Sequence, residues 1–171
     1  MTGGLRDFRD YGFSRPRVLA CGRYLGHNTY WKLHAIENYL RVLIHSVLMV
    51  QLPAPSWDNA VDKKVRERVE TVKRGYTFRS ATAVPGNHDI YYAYLPDLNR
   101  ILLANSNFFR TVVPDIDSWI PKLENVVTPR NLVGHMNFPN ARDRKTISAL
   151  YDEFTELISR LEKSNLTIAI P

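Results

Sequence analysis

Apolar residues recur at three- and four-residue steps through most of the chain, which is the spacing of one face of an α-helix. This period predicts a long first helix that Pro53 and Pro55 end. The predicted helices cover about 30–52, 60–76, 95–109, 115–127 and 143–163. Ser56 or Asp58 is the predicted N-cap where the chain restarts after the first helix. The pattern therefore predicts an all-α bundle of four or five helices.

The segments outside these helices lack a sustained period. Residues 1–29 are rich in arginine, glycine and aromatic side chains, and we interpret them as an irregular N-terminal arm in which 17–20 could form a strand. The polar stretch 77–89 contains a Pro-Gly pair and predicts a loop. The predicted organisation is an arm (1–29), a helical domain (30–163) and a C-terminal tail or strand-like extension (164–171).

Composition and charge narrow the class of protein. The 171 residues are 44% hydrophobic and 23% charged, which is ordinary for one globular domain. No apolar run has the length of a membrane span, and the first ten residues lack the apolar core of a secretory signal. The single Cys21 excludes an internal disulfide, so we expect a cytoplasmic protein with no membrane partner. A net charge of +6, with 16 arginines to 7 lysines, favours a phosphate-bearing partner.

One short motif combines three complementary chemical groups. Arg130-Asn131-x-x-x-His135 supplies a fixed cation, an orienting amide and a proton carrier. The chain has 5 histidines and 16 arginines. The expected number of chance occurrences is roughly 0.5 for the bare Arg-x4-His spacing and roughly 0.03 when asparagine must follow the arginine. At Thr128-Pro129 the chain is predicted either to kink or to begin a short new helix. Five residues at 100° each place the arginine and the histidine about 140° apart, so they flank a site.

A second polar pattern lies on the first helix. Glu37 precedes Arg41 by one turn, which is the spacing of a helical ion pair. Their neighbours on a polar face of the same helix are His34, Asn38 and His45.

The helix order and the motif together resemble the HEPN superfamily of small all-α proteins. The hallmark of that family is Arg-x(4–6)-His between the last long helices, and Arg130-Asn131-x-x-x-His135 matches it. Glu37-x-x-x-Arg41 is similar to the family's Glu-x-x-x-Arg helix. The resemblance covers about residues 30–163, implies an HEPN-like bundle, and leaves the N-terminal arm unexplained.

Catalytic HEPN proteins are typically metal-independent endoribonucleases, and many are toxins or antiviral effectors. The resemblance implies that the 2′-hydroxyl of RNA attacks its own phosphate, with no metal and no cofactor. His135 would move protons, Arg130 would stabilise the phosphorane charge, and Asn131 would orient the histidine or a phosphate oxygen. The implied supporting residues of the cleft are Glu37, Arg41 and Asn137. For Glu37 and Arg41 a simple helical ion pair is an equal explanation.

The resemblance also implies partners. One motif carries one histidine, so the family usually assembles its site across a homodimer. RNA is the implied substrate, and an antitoxin or a larger defence system is a further implied partner. Some members carry a modified tyrosine two residues after the histidine; this chain has Asn137 there, so that regulation is not supported.

Two alternatives remain open. Other HEPN members have lost catalysis and serve as modules for dimerisation or for binding nucleotide or RNA. A remote alternative is a metallophosphoesterase, because Gly86-Asn87-His88-Asp89 copies a signature of the calcineurin-like enzymes. That class needs about six to eight ligands on alternating strands and helices, and the upstream Asp-x-His and Gly-Asp elements are absent from the sequence. Three other histidines lack a carboxylate or cysteine cluster at ligand spacing and are interpreted as ordinary surface or half-buried residues: His27, His34 and His45.

Overall fold

A computed structural model describes residues 7–78, 83–164 and 168–171. Within these ranges the chain is helical and contains no β-strand, which confirms the all-α prediction. Single turns of 3-10 helix lie at Phe8–Asp10 and Asp89–Tyr92. The α-helices are α1 (Arg15–Leu25), α2 (Trp31–Gln51), α3 (Ser56–Ala60), α4 (Lys63–Thr77), α5 (Leu95–Ala104), α6 (Ser106–Phe109), α7 (Ile116–Gly134) and α8 (Ala141–Lys163).

Residues 15–30 are helical, so the predicted strand at 17–20 is wrong and this part of the predicted irregular arm is regular. Helix α1 begins after Ser14 with Pro16 in its first turn, where the missing N–H costs nothing. A π-helical turn, Gly26–Tyr30, then joins α1 to α2 without a break. Of the α1 residues, all of which are described, Cys21 alone is buried. A helix with so little buried surface has no apolar stripe to reveal it in the sequence.

Helix α2 lies at the centre of the bundle, and its bounds match the first predicted helix. It packs against both α8 and α5. Its apolar positions Ile36, Leu40 and Ile44 are fully buried, as the three- and four-residue steps predict. The helix ends at Leu52, whose backbone is extended before Pro53.

The charged segment after α2 forms two helices, although one was predicted. Helix α3 follows Pro55 at its N-cap position, and the chain becomes extended at Val61. Asp62 then caps α4, because its carboxylate accepts a hydrogen bond of 3.0 Å from the Val65 N–H. Ser56 and Asp58 were the predicted N-caps, and neither takes that role.

Side-chain capping also divides the next predicted helix. The buried Asn105 amide donates to the carbonyls of Ala60 (3.0 Å) and Ile101 (2.8 Å), and the chain breaks there between α5 and α6. Helix α7, in contrast, continues through Pro129 as far as Gly134, so no new helix starts at Thr128. The ring of Pro129 is buried, and this packing offsets the backbone hydrogen bond that proline cannot donate inside the helix.

Helix α8 begins with a capping box. The Asn140 side chain accepts from the Asp143 N–H at 2.9 Å, and the Asp143 carboxylate accepts from the Asn140 N–H at 3.3 Å. The described part of the C-terminal tail, 168–171, is irregular, and Ser46 on α2 bonds both backbone groups of Ala169. Residues 165–167 of the predicted strand-like extension and 79–82 of the predicted loop lie outside the described residues.

Candidate functional site

A cleft of about 680 Å³, lined by both polar and apolar side chains, lies where α2, the start of α5 and the end of α7 meet. The three predicted catalytic residues, Arg130, Asn131 and His135, all line it. Glu37 and Arg41 line it from α2. Five of the six residues singled out in the sequence are thus brought to one cavity, from segments more than 85 positions apart.

Glu37 connects α2 to α7 at the cleft. Its carboxylate accepts a hydrogen bond of 2.5 Å from Nε of Arg130 and one of 3.0 Å from Nη2 of Arg41. The side chain of Glu37 is 11% exposed and that of Arg130 is 23% exposed. The helical ion pair that the spacing predicts is present, and the same carboxylate also holds Arg130. Two guanidinium groups against one carboxylate leave a net positive charge at the cleft wall.

Arg41 is the deeper of the two guanidinium groups. Burial lowers the pKa of Arg41 from its ordinary value, and the charge of Glu37 opposes that shift. Its other hydrogen bonds go to Oδ1 of Asn38 (3.2 Å) and to the carbonyl of Ala93 (3.1 Å). With these partners it acts mainly as a structural clamp between α2 and the segment before α5.

Arg130 leaves part of its guanidinium facing the cavity. Nη1 donates to Oδ1 of Asn131 at 3.3 Å, a long contact that an incoming anion could replace. The ring of Tyr94 lies 5.5 Å from the guanidinium carbon, within the range of a cation–π contact. Because Nε is committed to Glu37, the outer nitrogens are the ones placed to bind a phosphate.

His135 stands at the C-terminal cap of α7. Its backbone N–H bonds the carbonyl of Asn131 at 3.0 Å, and its side chain is exposed at the cleft. The next residue, Met136, has a φ of 60°, which turns the chain away from the helix axis. The imidazole makes no hydrogen bond with any described residue. A substrate could therefore reach either ring nitrogen.

Asn137 is placed behind the cleft and does not line it. It lines a smaller cavity of about 260 Å³ next to α1. Its amide donates to the carbonyl of His135 at 3.1 Å, and its Oδ1 accepts from Nη1 of Arg9 at 3.3 Å. Asn137 thus holds the backbone of His135 and connects it to the N-terminal segment.

The N-terminal region, which the resemblance left unexplained, supports the same turn. The guanidinium of Arg144 lies 5.6 Å from the Tyr24 ring on α1 and 5.2 Å from the Phe138 ring. The two rings are themselves 5.8 Å apart. This aromatic and cationic cluster packs α1 against the turn that follows His135.

Several residues that were not singled out for the site also line the cleft. His34 and Asn38 belong to the polar row on α2, so a signal for them existed, although His34 was interpreted as an ordinary histidine. Tyr94 at the cap of α5 and Tyr30 before α2 had no signal in the sequence, because a single exposed tyrosine has no period or motif. Both rings are largely exposed, at 42% and 53%.

The Gly-Asn-His-Asp segment has a structural role elsewhere. Nδ1 of His88 accepts from the Ile90 N–H at 3.1 Å and so caps the 3-10 turn that follows. Its ring packs edge-on to His45 and Trp57 at centroid distances of 4.7 and 5.5 Å. Burial lowers the pKa of both histidines. Among the described residues, no group of three or more His, Cys, Asp or Glu side chains is arranged to hold a metal ion.

Comparison with known proteins adds no family. No family model, no curated protein and no solved structure matches this chain. No helix in the described part of the chain is both long enough and apolar enough to cross a bilayer.

Proposed function

We propose that this chain is a metal-independent endoribonuclease that cleaves RNA by attack of the 2′-hydroxyl on the adjacent phosphate. The observation that carries the proposal is the convergence of Arg130, Asn131 and His135 in one cleft, with Arg130 held by Glu37. The resemblance to HEPN proteins, the helical fold and the net charge of +6 support the same function.

Each group has a defined part in the proposed reaction. The outer nitrogens of Arg130 bind the phosphate and stabilise the second negative charge that develops on the phosphorane. Asn131 orients a phosphate oxygen beside that guanidinium. His135 transfers a proton to or from a reacting oxygen. The products are a 2′,3′-cyclic phosphate and a free 5′-hydroxyl.

The reaction benefits from a second proton carrier. In the proposed homodimer, a two-fold axis brings a second copy of the motif to the site, as the resemblance implies. A toxin or antiviral effector in a reducing cytoplasm, controlled by an antitoxin or a larger defence system, fits a nuclease of this kind.

The test is cleavage of end-labelled single-stranded RNA in EDTA, with the products typed for the cyclic phosphate. We expect wild type to cut and His135→Ala and Arg130→Ala to lose cutting. His27→Ala is the matched control, because His27 is exposed in the π turn and does not line the cleft. Equal cleavage by wild type and His135→Ala, or cleavage that EDTA abolishes, would refute the proposal.

A non-catalytic module that binds RNA or nucleotide is the second candidate. The observation that favours it is the His135 ring, which no described residue orients by a hydrogen bond. This candidate predicts that the purified chain binds single-stranded RNA, more weakly as salt rises, and releases it uncut. Expression of wild type would then be harmless, whereas an active nuclease is expected to slow growth and His135→Ala to relieve that effect.

A further inference from the structure

The cleft contains a second imidazole from the same chain. His34 lies on α2, one turn before Glu37, and lines the cavity together with His135. Its side chain is exposed. The amide nitrogen of Asn38 donates to the His34 carbonyl at 2.8 Å and lies 3.4 Å from both ring nitrogens. Because this amide is equally distant from the two ring nitrogens, it contacts the ring without forming a directed hydrogen bond to one of them.

A hydrogen bond between Glu37 and Arg130 links the two helices that bring the imidazoles to this cavity. Glu37, three residues after His34, bonds Nε of Arg130 on α7 at 2.5 Å. Arg130 in turn precedes His135 by about one and a half helical turns. The Glu37 carboxylate thus links α2, which carries His34, to α7, whose C-terminal cap is His135. A phosphate on the outer nitrogens of Arg130 would lie in the cavity that both imidazoles line.

We propose that His34 is a second catalytic residue, which works with His135 as the acid–base pair of a single chain's cleft. The inference rests on the proposed function. In the forward step the 2′-oxygen forms a bond to phosphorus and the P–O5′ bond breaks. One neutral imidazole takes the proton of the 2′-hydroxyl, and the other, protonated, gives its proton to the leaving 5′-oxygen. The electron pair of the broken bond leaves with that oxygen, and no other reactant is needed.

This arrangement changes what a second copy of the chain would contribute. A motif with one histidine needs a partner for its second proton carrier, whereas this cleft already contains two imidazoles. The titratable and charged side chains that line the cleft around them are Tyr30, Glu37, Arg41, Tyr94 and Arg130. Mixed-chain experiments can therefore separate a cleft complete in one chain from a composite one.

The first measurement is the pH profile of kcat/KM for RNA cleavage. Wild type should give a bell, since one imidazole must be neutral and the other protonated. His34→Ala should lose on the order of 10²-fold or more in kcat and retain one limb of the bell, with an unchanged melting temperature because the side chain is exposed. His27→Ala should behave as wild type. A His34→Ala rate within threefold of wild type, with the bell intact, overturns the inference.

The second measurement mixes His34→Ala chains with His135→Ala chains. With both imidazoles in one chain's cleft, no mixture contains a complete site, so activity stays at the level of the single variants. Recovered activity would place the pair across two chains and overturn the inference as stated.

A binding readout keeps the two proposals distinguishable. A 2′-deoxy oligonucleotide lacks the attacking hydroxyl, so it binds without being cut. We expect it to shift the imidazole proton resonances of both His34 and His135 in the NMR spectrum. A shift of His135 alone refutes the role of His34 and leaves the nuclease proposal standing. A wild-type chain that never cuts RNA refutes the proposed function, and the catalytic role of His34 with it.

Discussion

Replacing Glu37 with glutamine tests whether one carboxylate holds the cleft together. The substitution keeps the shape of the side chain and removes its charge. Glu37 accepts hydrogen bonds from both Arg130 and Arg41, and its own side chain is 11% exposed. The half-buried guanidinium groups of Arg41 and Arg130 would then share a neutral amide in place of an anion.

The magnitude follows from the number and exposure of the contacts. A hydrogen bond to a charged group contributes about 1.5–3 kcal/mol, and removing one partner of a buried ion pair costs about 3–5 kcal/mol. Arg130 is 23% exposed, so water screens that contact in part, and the glutamine oxygen can still accept one hydrogen bond. We therefore expect a loss of about 2–3 kcal/mol in the free energy of unfolding. For a chain of this size that corresponds to about 5–10 °C in melting temperature.

The assay is thermal unfolding followed by circular dichroism, with urea titration as a second measure. Glu67→Gln is the matched control, because Glu67 forms an exposed helical pair with Lys63 at 3.7 Å. Such a pair contributes about 0.3–0.5 kcal/mol, so the control should melt close to wild type. If Glu37→Gln were no less stable than the control, the bridging carboxylate would not exist as described, and the account of how Arg130 is held would be wrong.

Three further predictions concern pH, RNA binding and the core. Burial lowers the pKa of His45 and His88 below the ordinary value, so the unfolded chain binds more protons and the free energy of unfolding should fall as pH drops below about 6.5. With both histidines replaced by phenylalanine, the urea midpoint should fall less steeply with decreasing pH than in wild type. An equally steep fall in the double variant would contradict this prediction. Tyr94, 42% exposed in the cleft, offers a ring on which a base can stack. Tyr94→Ala should weaken binding of a single-stranded oligonucleotide at least about fivefold and Tyr94→Phe should not; equal affinity of the two variants would exclude stacking. Phe154→Ala, which empties a site 1% exposed, should cost about 3–5 kcal/mol in urea unfolding, whereas Phe13→Ala, 89% exposed, should cost little; similar losses would contradict the assigned core.

The helices that bury a continuous apolar stripe were predictable. Helices α2 and α8 begin and end within one or two residues of the predicted bounds, because their core contacts repeat at the helical period. Helix α1 was missed because most of its surface is exposed, so burial left no pattern in its sequence. The breaks at Val61 and Asn105 were missed because side-chain caps from Asp62 and Asn105 set them, and a cap is a single residue.

The candidate site was predictable only in part. The motif on α7 and the Glu37–Arg41 pair on α2 each show in the sequence, since their members are close along one helix. The contact between Glu37 and Arg130 spans 93 positions and no local spacing encodes it. The same holds for His34, which becomes a candidate for catalysis only because it lines the same cavity as His135. For Asn137 the sequence was misleading: it lies two residues after His135 in the chain, yet it lines a different cavity.

By itself, the sequence determined the helical class, the chief core helices and the chemical groups of the motif, because helical period and short spacings are local properties of a chain. The tertiary structure alone decided which groups share a cavity. Helices α2 and α7 each pack against α5 and α8. This packing brings Glu37 into contact with Arg130 and places His34 in the cavity that His135 also lines. It also packs an exposed N-terminal helix behind the turn that carries His135. Such contacts depend on the directions in which whole helices cross, and side-chain spacing along the chain does not specify those directions.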